Sequence, residues 1–422
     1  MKTYARNKDS GISWIGKIPE HWEISRIRHL FVESDEKTSD AAETLLSLSQ
    51  YTGVSLKSES PKLGMFEAET TEGYKIVHKG QFVMNIMLAW NGSYAVSNLD
   101  GVISPAYCVF DFVKDCEKWY FHYLLRLKVY SGAFKTLSKG IIDSRLRLYP
   151  NKFYTFPVII PPIEEQKAIA VYLDNKTEQI NHLVAAKQKQ IELLKEYKQS
   201  FVANAVTKGI NPKAKMKDSG INWIGQIPEH WNVHYLFQKA KEHFISNKTV
   251  HHQNLLSLSY GKIVQKDINT TEGLLPESFD TYQIVEEGNI VLRLTDLQND
   301  HKSLRVGFVT QEGIITSAYE CLEVMSNSYF PKYLYYQLHS FDIKKMFYGM
   351  GGGLRQNLNY NELKKIRIAV PPFEEQKSIV EIIEKRVASI DSQISSIEKQ
   401  IANLNEYKQS LISDVVTGKV KV

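Results

Sequence analysis

Cysteine is scarce in this chain. Cys108, Cys116 and Cys321 are the three among 422 residues, and their odd number and scattered spacing exclude both a disulfide framework and a paired metal-ligand knuckle. They are expected to be reduced core thiols. No apolar run approaches the roughly 18 residues that a membrane helix needs. The opening Met1-Lys2-Thr3-Tyr4-Ala5-Arg6 leads into polar residues rather than an apolar signal region. A cytoplasmic protein without a membrane partner is expected. Neither sign of charge dominates, since 52 Lys and Arg against 47 Asp and Glu leave +5, a slight lean toward anionic partners.

Catalytic constellations are missing too. Gly349-Met350-Gly351-Gly352-Gly353-Leu354 has no following Lys-Ser/Thr to make a phosphate loop, and Leu354 stands where a dinucleotide fingerprint needs its third glycine, so it reads as a flexible loop. Both Pro-Pro pairs are followed by Ile163 or Phe373 and then glutamates, which excludes the Asn/Asp-Pro-Pro-Tyr/Phe of an amino-methyltransferase. Glu165-Gln166-Lys167 and Glu375-Gln376-Lys377 echo the end of a nuclease motif, but in the first turn of a helix they read as dipole-compensating charges. His21/Trp22 and His230/Trp231 lack an acid-base partner at a diagnostic spacing and read as a structural latch. No metal site, catalytic residue or cofactor of its own is expected.

What the chain does have, it has twice. Lys8-Asp9-Ser10-Gly11-Ile12-Ser13-Trp14-Ile15-Gly16-Lys17-Ile18-Pro19-Glu20-His21-Trp22 returns as Lys217-Asp218-Ser219-Gly220-Ile221-Asn222-Trp223-Ile224-Gly225-Gln226-Ile227-Pro228-Glu229-His230-Trp231. Pro161-Pro162-Ile163-Glu164-Glu165-Gln166-Lys167 and Glu196-Tyr197-Lys198-Gln199-Ser200 return near Pro371 and Glu406, at an offset close to 210 residues. A repeat this long is a pair of domains, because solenoid units run about 20 to 50 residues.

Each half reads as a β-rich globular segment followed by a long helix. Short apolar runs bounded by Gly, Asn and Asp predict strands within 80–87 and 102–110, and again within 288–294 and 313–319. The aromatic-rich stretches 119–125 and 333–338 have the spacing of short helices whose rings belong to the core. Each Pro-Pro pair then starts a helix. Its apolar residues alternate by three and four: Ile169, Leu173, Ile180, Val184, Ile191 and Leu194, continuing to Phe201, in the first copy. In the second they are Ile383, Val387, Ile390, Ile394, Ile397, Ile401 and Leu404. Thr177, Lys187 and Lys198 interrupt the first series, and one polar position precedes Leu411 in the second. This is the seam of a coiled coil, so the two helices are expected to pair.

Trp-Ile-Gly-x-Ile-Pro-Glu-His-Trp at the start of each half, a mid-domain Ala-Tyr, Pro-Pro-x-Glu-Glu-Gln-Lys at each helix start and Glu-Tyr-Lys-Gln-Ser near its end resemble the specificity subunit of Type I restriction-modification enzymes. The resemblance spans the chain. It implies an α+β fold: target-recognition domains at 1–160 and 210–370, alternating with spacer helices at 161–209 and 371–422 that pair as an antiparallel coiled coil in pseudo-twofold relation. It further implies that each domain reads half of a bipartite site in double-stranded DNA, with the spacers setting the gap. The subunit itself would be non-catalytic. It would recruit two modification (methyltransferase) subunits, which use S-adenosylmethionine, and restriction (translocase and nuclease) subunits, which use ATP and Mg. The alternatives are a stand-alone methyltransferase or nuclease with its own recognition domains, and a coiled-coil adaptor that binds protein only.

Within that resemblance, positions shared by both halves suit common tasks and positions that differ suit sequence reading. Arg145 and Arg355 share the 210 offset and are candidates for a phosphate contact or a buried anchor. Asn85 and Arg293 align but differ in kind, Asn suiting adenine and Arg guanine. The loops beyond them, with Trp90 and Asn91 in one copy and Gln298 and Asn299 in the other, differ most. Lys135 and Lys139 are candidate backbone contacts.

Overall fold

The computed structural model describes residues 2–39, 44–59, 70–140, 142, 145–269, 278–299, 304–325, 328–350 and 357–422. Arg355, residues 300–302 and Gly351, Gly352 and Gly353 lie outside the described residues. The chain divides into two compact units, 1–187 with 399–422, and 188–398. Each unit therefore holds one globular segment, the start of one long helix and the end of the other.

The repeat in sequence is a repeat in topology. In the first unit an antiparallel four-stranded sheet runs in the order Phe31–Ser34, Tyr107–Phe112, Phe82–Asn85, Tyr94–Val96; in the second it runs Ala240–Glu242, Glu320–Val324, Ile290–Leu292, Val306–Phe308. Registers match as well, with Phe110 opposite Phe82 and Leu322 opposite Ile290. A strand just before each long helix, Pro157–Ile160 or Arg367–Val370, pairs with Glu23–Arg26 or Asn232–Tyr235. A β-hairpin, Leu46–Ser49 with Gly53–Leu56 or Leu256–Ser259 with Lys262–Gln265, stands beside each sheet.

The predicted strand runs and aromatic helices are all present, as Lys118–Leu125 and Pro331–Ile343 for the latter. Their rings are core: Tyr120, Phe121 and Tyr333 are fully buried. One scaffold is nevertheless filled in two ways. The first core is aromatic, with Phe82 stacked on Phe153 at 5.7 Å, whereas the second places Ile290 and Leu363 at the matching positions. Cys108 and Cys321 sit in these interiors and Cys116 is half-buried; burial pushes the thiols up to about 12, 12 and 11.

The long helices span Ile163–Lys208 and Phe373–Val416. Their seams divide into two kinds of contact. At the ends, Ile169, Leu173 and Leu411 join the core of the first unit, and Ile383, with Val387 at its margin, joins that of the second. Here the stripe lies on a globular domain. In the middle, Ile180, Ile191, Ile390, Ile394 and Ile397 are buried, while Val184, Leu194, Ile401 and Leu404 are half-buried. Here helix faces helix. Pairing is antiparallel: in the first unit Lys408 donates to Asn181 (2.9 Å) while Lys187, further along that helix, donates to Gln400, further back on the other.

The polar residues that break the heptads make the cross-links. Lys198 reaches Asp391 at 2.6 Å in the second unit, and Lys408 reaches Asn181 in the first, the same contact at the repeat offset. Arg386 bonds the Tyr197 hydroxyl at 3.0 Å and lies over its ring. Thr177 is drawn instead toward its domain, 3.3 Å from the hydroxyl of Tyr123. Polar groups on an apolar seam fix register, because any slip leaves them facing hydrocarbon.

Candidate nucleic-acid interface

The motifs shared by both halves build a joint between domain and helices. Glu165 accepts from His21 (2.6 Å), Trp22 (3.0 Å) and Tyr4 (2.8 Å); Glu375 accepts from His230 (2.7 Å) and Trp231 (3.1 Å). The His-Trp pair thus has a partner, some 144 positions away, that linear spacing conceals. The glutamates do more than offset the helix dipole, since each carboxylate ties the domain entry to the helix start. Burial raises the Glu165 carboxyl, but the hydrogen bonds from His21, Tyr4 and Trp22 outweigh it and leave it below the ordinary range. Gln166 and Gln376, both buried, complete the motif. Each donates to the first proline carbonyl, Pro161 or Pro371, and accepts from the backbone N–H of Glu117 or Phe330. Gly418 and Gly209 end the two helices at φ +75° and +73°, against the indoles of Trp22 and Trp231, a left-handed closure that glycine adopts without strain.

The surfaces that differ between the halves lie at the end of the sheet. Asn85 is 2% exposed, and its Oδ1 accepts from the N–H of Met87 at 2.9 Å. That makes it the residue closing the turn, with its amide turned inward, not offered to a base. Beyond the turn, Trp90 donates to the Met87 carbonyl and the Lys135 ammonium lies 5.2 Å over its ring. Asn91 accepts from Ser93 at 3.1 Å. Lys135, Lys139 and Arg145 are exposed. A β-bridge between Lys139 and Arg147 adds Arg147, which the sequence reading missed, to this basic group.

In the second unit Arg293 is half-exposed and Gln298 and Asn299 are exposed, with Asn299 bonded to Asp296 at 2.7 Å. The loop is built on Arg305, which is fully buried. Its guanidinium donates to the carbonyls of Arg293, Thr295 and Asp296 and to the Tyr348 hydroxyl. Arg126 plays the comparable part in the first unit, donating to the carbonyls of Tyr94 (2.6 Å) and Gln50 (2.7 Å). Neither arginine was marked in the sequence, because nothing in linear spacing distinguishes a buried clamp from a surface charge.

Residues 305–405 match the family of the Type I restriction modification DNA specificity domain. Over 431 aligned residues the chain is 26% identical to the Type I restriction enzyme MjaVIII specificity subunit of Methanocaldococcus jannaschii, covering 96% of this chain and 94% of that protein. The chain thus carries a match to that domain over 305–405 and is similar to Type I restriction specificity subunits over nearly its whole length. The StySPI specificity subunit of Salmonella potsdam is 21% identical over 312 residues, covering 71% of this chain and 65% of that one. The fold is that of an HsdS subunit from Thermoanaerobacter tengcongensis (TM-score 0.54, 15% identity, 96% and 98% covered). It is also that of a chain solved in work on complex assembly and conformational transition of the type I R-M system (TM-score 0.67, 14% identity, 96% and 99% covered). As a specificity subunit the chain is a recognition component and not the catalytic one. Among the described residues no helix is long and apolar enough to cross a membrane.

Proposed function

We propose that the globular segments 1–160 and 210–370 each read one half of a bipartite site in double-stranded DNA, and that the helices 161–209 and 371–422 connect and space them. The observation that carries this reading is one scaffold bearing two surface chemistries. The sheet repeats strand for strand, and the His-Trp entry and the Pro-Pro-x-Glu-Glu-Gln-Lys helix start repeat in residues as well, whereas the loop at the sheet end holds Trp90 and Asn91 in one copy and Arg293, Gln298 and Asn299 in the other. A common frame with divergent tips is what two different half-sites require. Lys135, Lys139 and Arg145 supply backbone contacts in the first copy, and Arg355 remains the counterpart of Arg145 by its place in the repeat. The shared joint is the surface common to both halves on which two methyltransferase subunits can be received alike; they bring S-adenosylmethionine, and restriction subunits bring ATP and Mg.

Mapping methylated adenines after co-expression with the methyltransferase partner tests the reading. The expected result is one interrupted motif with two fixed halves, and Arg293→Ala relaxing a single base position in one half, at about 1–3 kcal/mol of lost discrimination. Methyl transfer by the chain alone would make it a stand-alone methyltransferase. Assembly with the partner but no salt-dependent binding of duplex DNA would make it a protein-only adaptor.

A further inference from the structure

The two most exposed large apolar side chains among the described residues are Tyr51, at 84%, and Tyr260, at 79%. They lie 209 positions apart, each at the tip of its hairpin after the same Leu-Ser-Leu-Ser strand: Tyr51 is the middle residue of the tip Gln50-Tyr51-Thr52, and Tyr260 the first of the shorter tip Tyr260-Gly261. Tyr260 and Gly261 form a two-residue turn with φ of +47° and +78°. Such a turn suits Asn-Gly, and a bulky aromatic in its first position is strained. Neither ring is packed, so burial does not account for tyrosine at either tip. The tips are firmly held nonetheless. Arg126 pins the Gln50 carbonyl, and Gly261 is packed on Leu304, beside the Arg305 clamp.

Both tips adjoin the loops assigned to reading. The Cβ position of Gly92, which follows Trp90 and Asn91, is 3.8 Å from Gln50, and the second hairpin packs on Gly307, next to Arg305. We infer that Tyr51 and Tyr260 are sequence-independent DNA contacts, one per domain, each donating its phenol to a backbone phosphate of its half-site. This rests on the DNA-reading function proposed above. The same residue in both copies cannot distinguish two different sequences. A lone exposed ring amid polar neighbours also lacks the contiguous apolar patch that a docked protein would cover. Tyrosine is among the side chains that position a protein on phosphate oxygens.

The test uses the full chain assembled with its methyltransferase partner and duplexes carrying either the mapped site or a scrambled one. Tyr51→Phe, Tyr51→Ala, Tyr260→Phe and Tyr260→Ala are each expected to weaken binding about tenfold, alike for both duplexes, with partner assembly unchanged. Tyr260→Asn should weaken DNA binding equally while raising Tm by about 2 °C, because the left-handed position suits asparagine. Binding within twofold of wild type in all variants overturns the inference. So does a change in base preference, loss confined to the alanine variants, or loss of the methyltransferase partner in place of DNA. Failure of wild type to bind duplex would instead remove the reading beneath it.

Discussion

The hydroxyl of Tyr120 lies 3.1 Å from the carbonyl oxygen of Val416, the last residue of the C-terminal helix, across 296 positions of sequence. Its copy does the same, with Tyr333 donating to Val206 near the end of the central helix at 3.0 Å. Each domain therefore grips the start of one helix through a glutamate and the end of the other through a tyrosine. Both tyrosines are fully buried.

Tyr120→Phe leaves the Val416 carbonyl buried without that donor, a loss of about 1–3 kcal/mol. Tyr333→Phe should match it, and thermal unfolding of each variant measures both. If either left Tm unchanged, the tyrosine would not be holding the helix end.

Ile394 is 8% exposed on the seam, near the Lys198–Asp391 bridge. Ile394→Asp buries a charge against apolar side chains, a loss expected to exceed ~3 kcal/mol, and with it DNA binding should fall although no reading loop is touched. Calorimetry and a duplex titration read the two effects; unchanged values in both would remove the paired-helix seam.

The His122 side chain is half-buried, and Val96 donates to its Nδ1 at 3.3 Å. Burial, and then the neighbouring Arg126 guanidinium, hold its pKa at about 3. The folded value lies below the unfolded one of about 6.5, so the unfolded chain binds the extra proton between these limits. Stability is thus full above pH 6.5 and falls as pH drops toward 3, by about 2 kcal/mol from this group at pH 5. His339, held at about 4 by burial and then by Lys198, acts in the same direction. Tm should fall from pH 7 to pH 5, and His122→Gln should flatten that slope. An unaltered slope would mean that His122 is not the titrating group.

The repeat, the strand runs, the helix starts and the heptads were legible because each is a local or periodic signal. Glu165 was legible as a helix-start residue but not as the acceptor for Trp22, since the two meet only once the strand Pro157–Ile160 is laid beside Glu23–Arg26. Lys187, Lys198 and Lys408 looked like flaws in the seam and are its cross-links, for their partners are on the other helix. Asn85 looked like a reader because its chemistry suits adenine, while burial at the strand end gives it the turn instead. Leu-Ser-Leu-Ser at 46–49 and 256–259 was a further legible repeat, at an offset of 210, and it leads in each copy into the hairpin tip that carries Tyr51 or Tyr260.

Lys135 and Lys139 provide the sharpest separation of holding from reading. Both are exposed beside the loop of Trp90 and Asn91, Lys135 on the helix Lys128–Leu137 and Lys139 just past its end. A lysine on phosphate releases counterions whatever the base sequence, so each Lys→Ala change should weaken binding to every duplex alike. The slope of log K against log salt should drop in magnitude by about one for each lysine removed, and by about two in the double variant. Site preference in a randomised library should stay as in wild type, in contrast to Arg293→Ala. Titrations at several salt concentrations, run on matched and scrambled duplexes, give both quantities. An unchanged salt slope in the double variant would take these two lysines off the DNA, whereas an altered base preference would move them from the backbone to the bases.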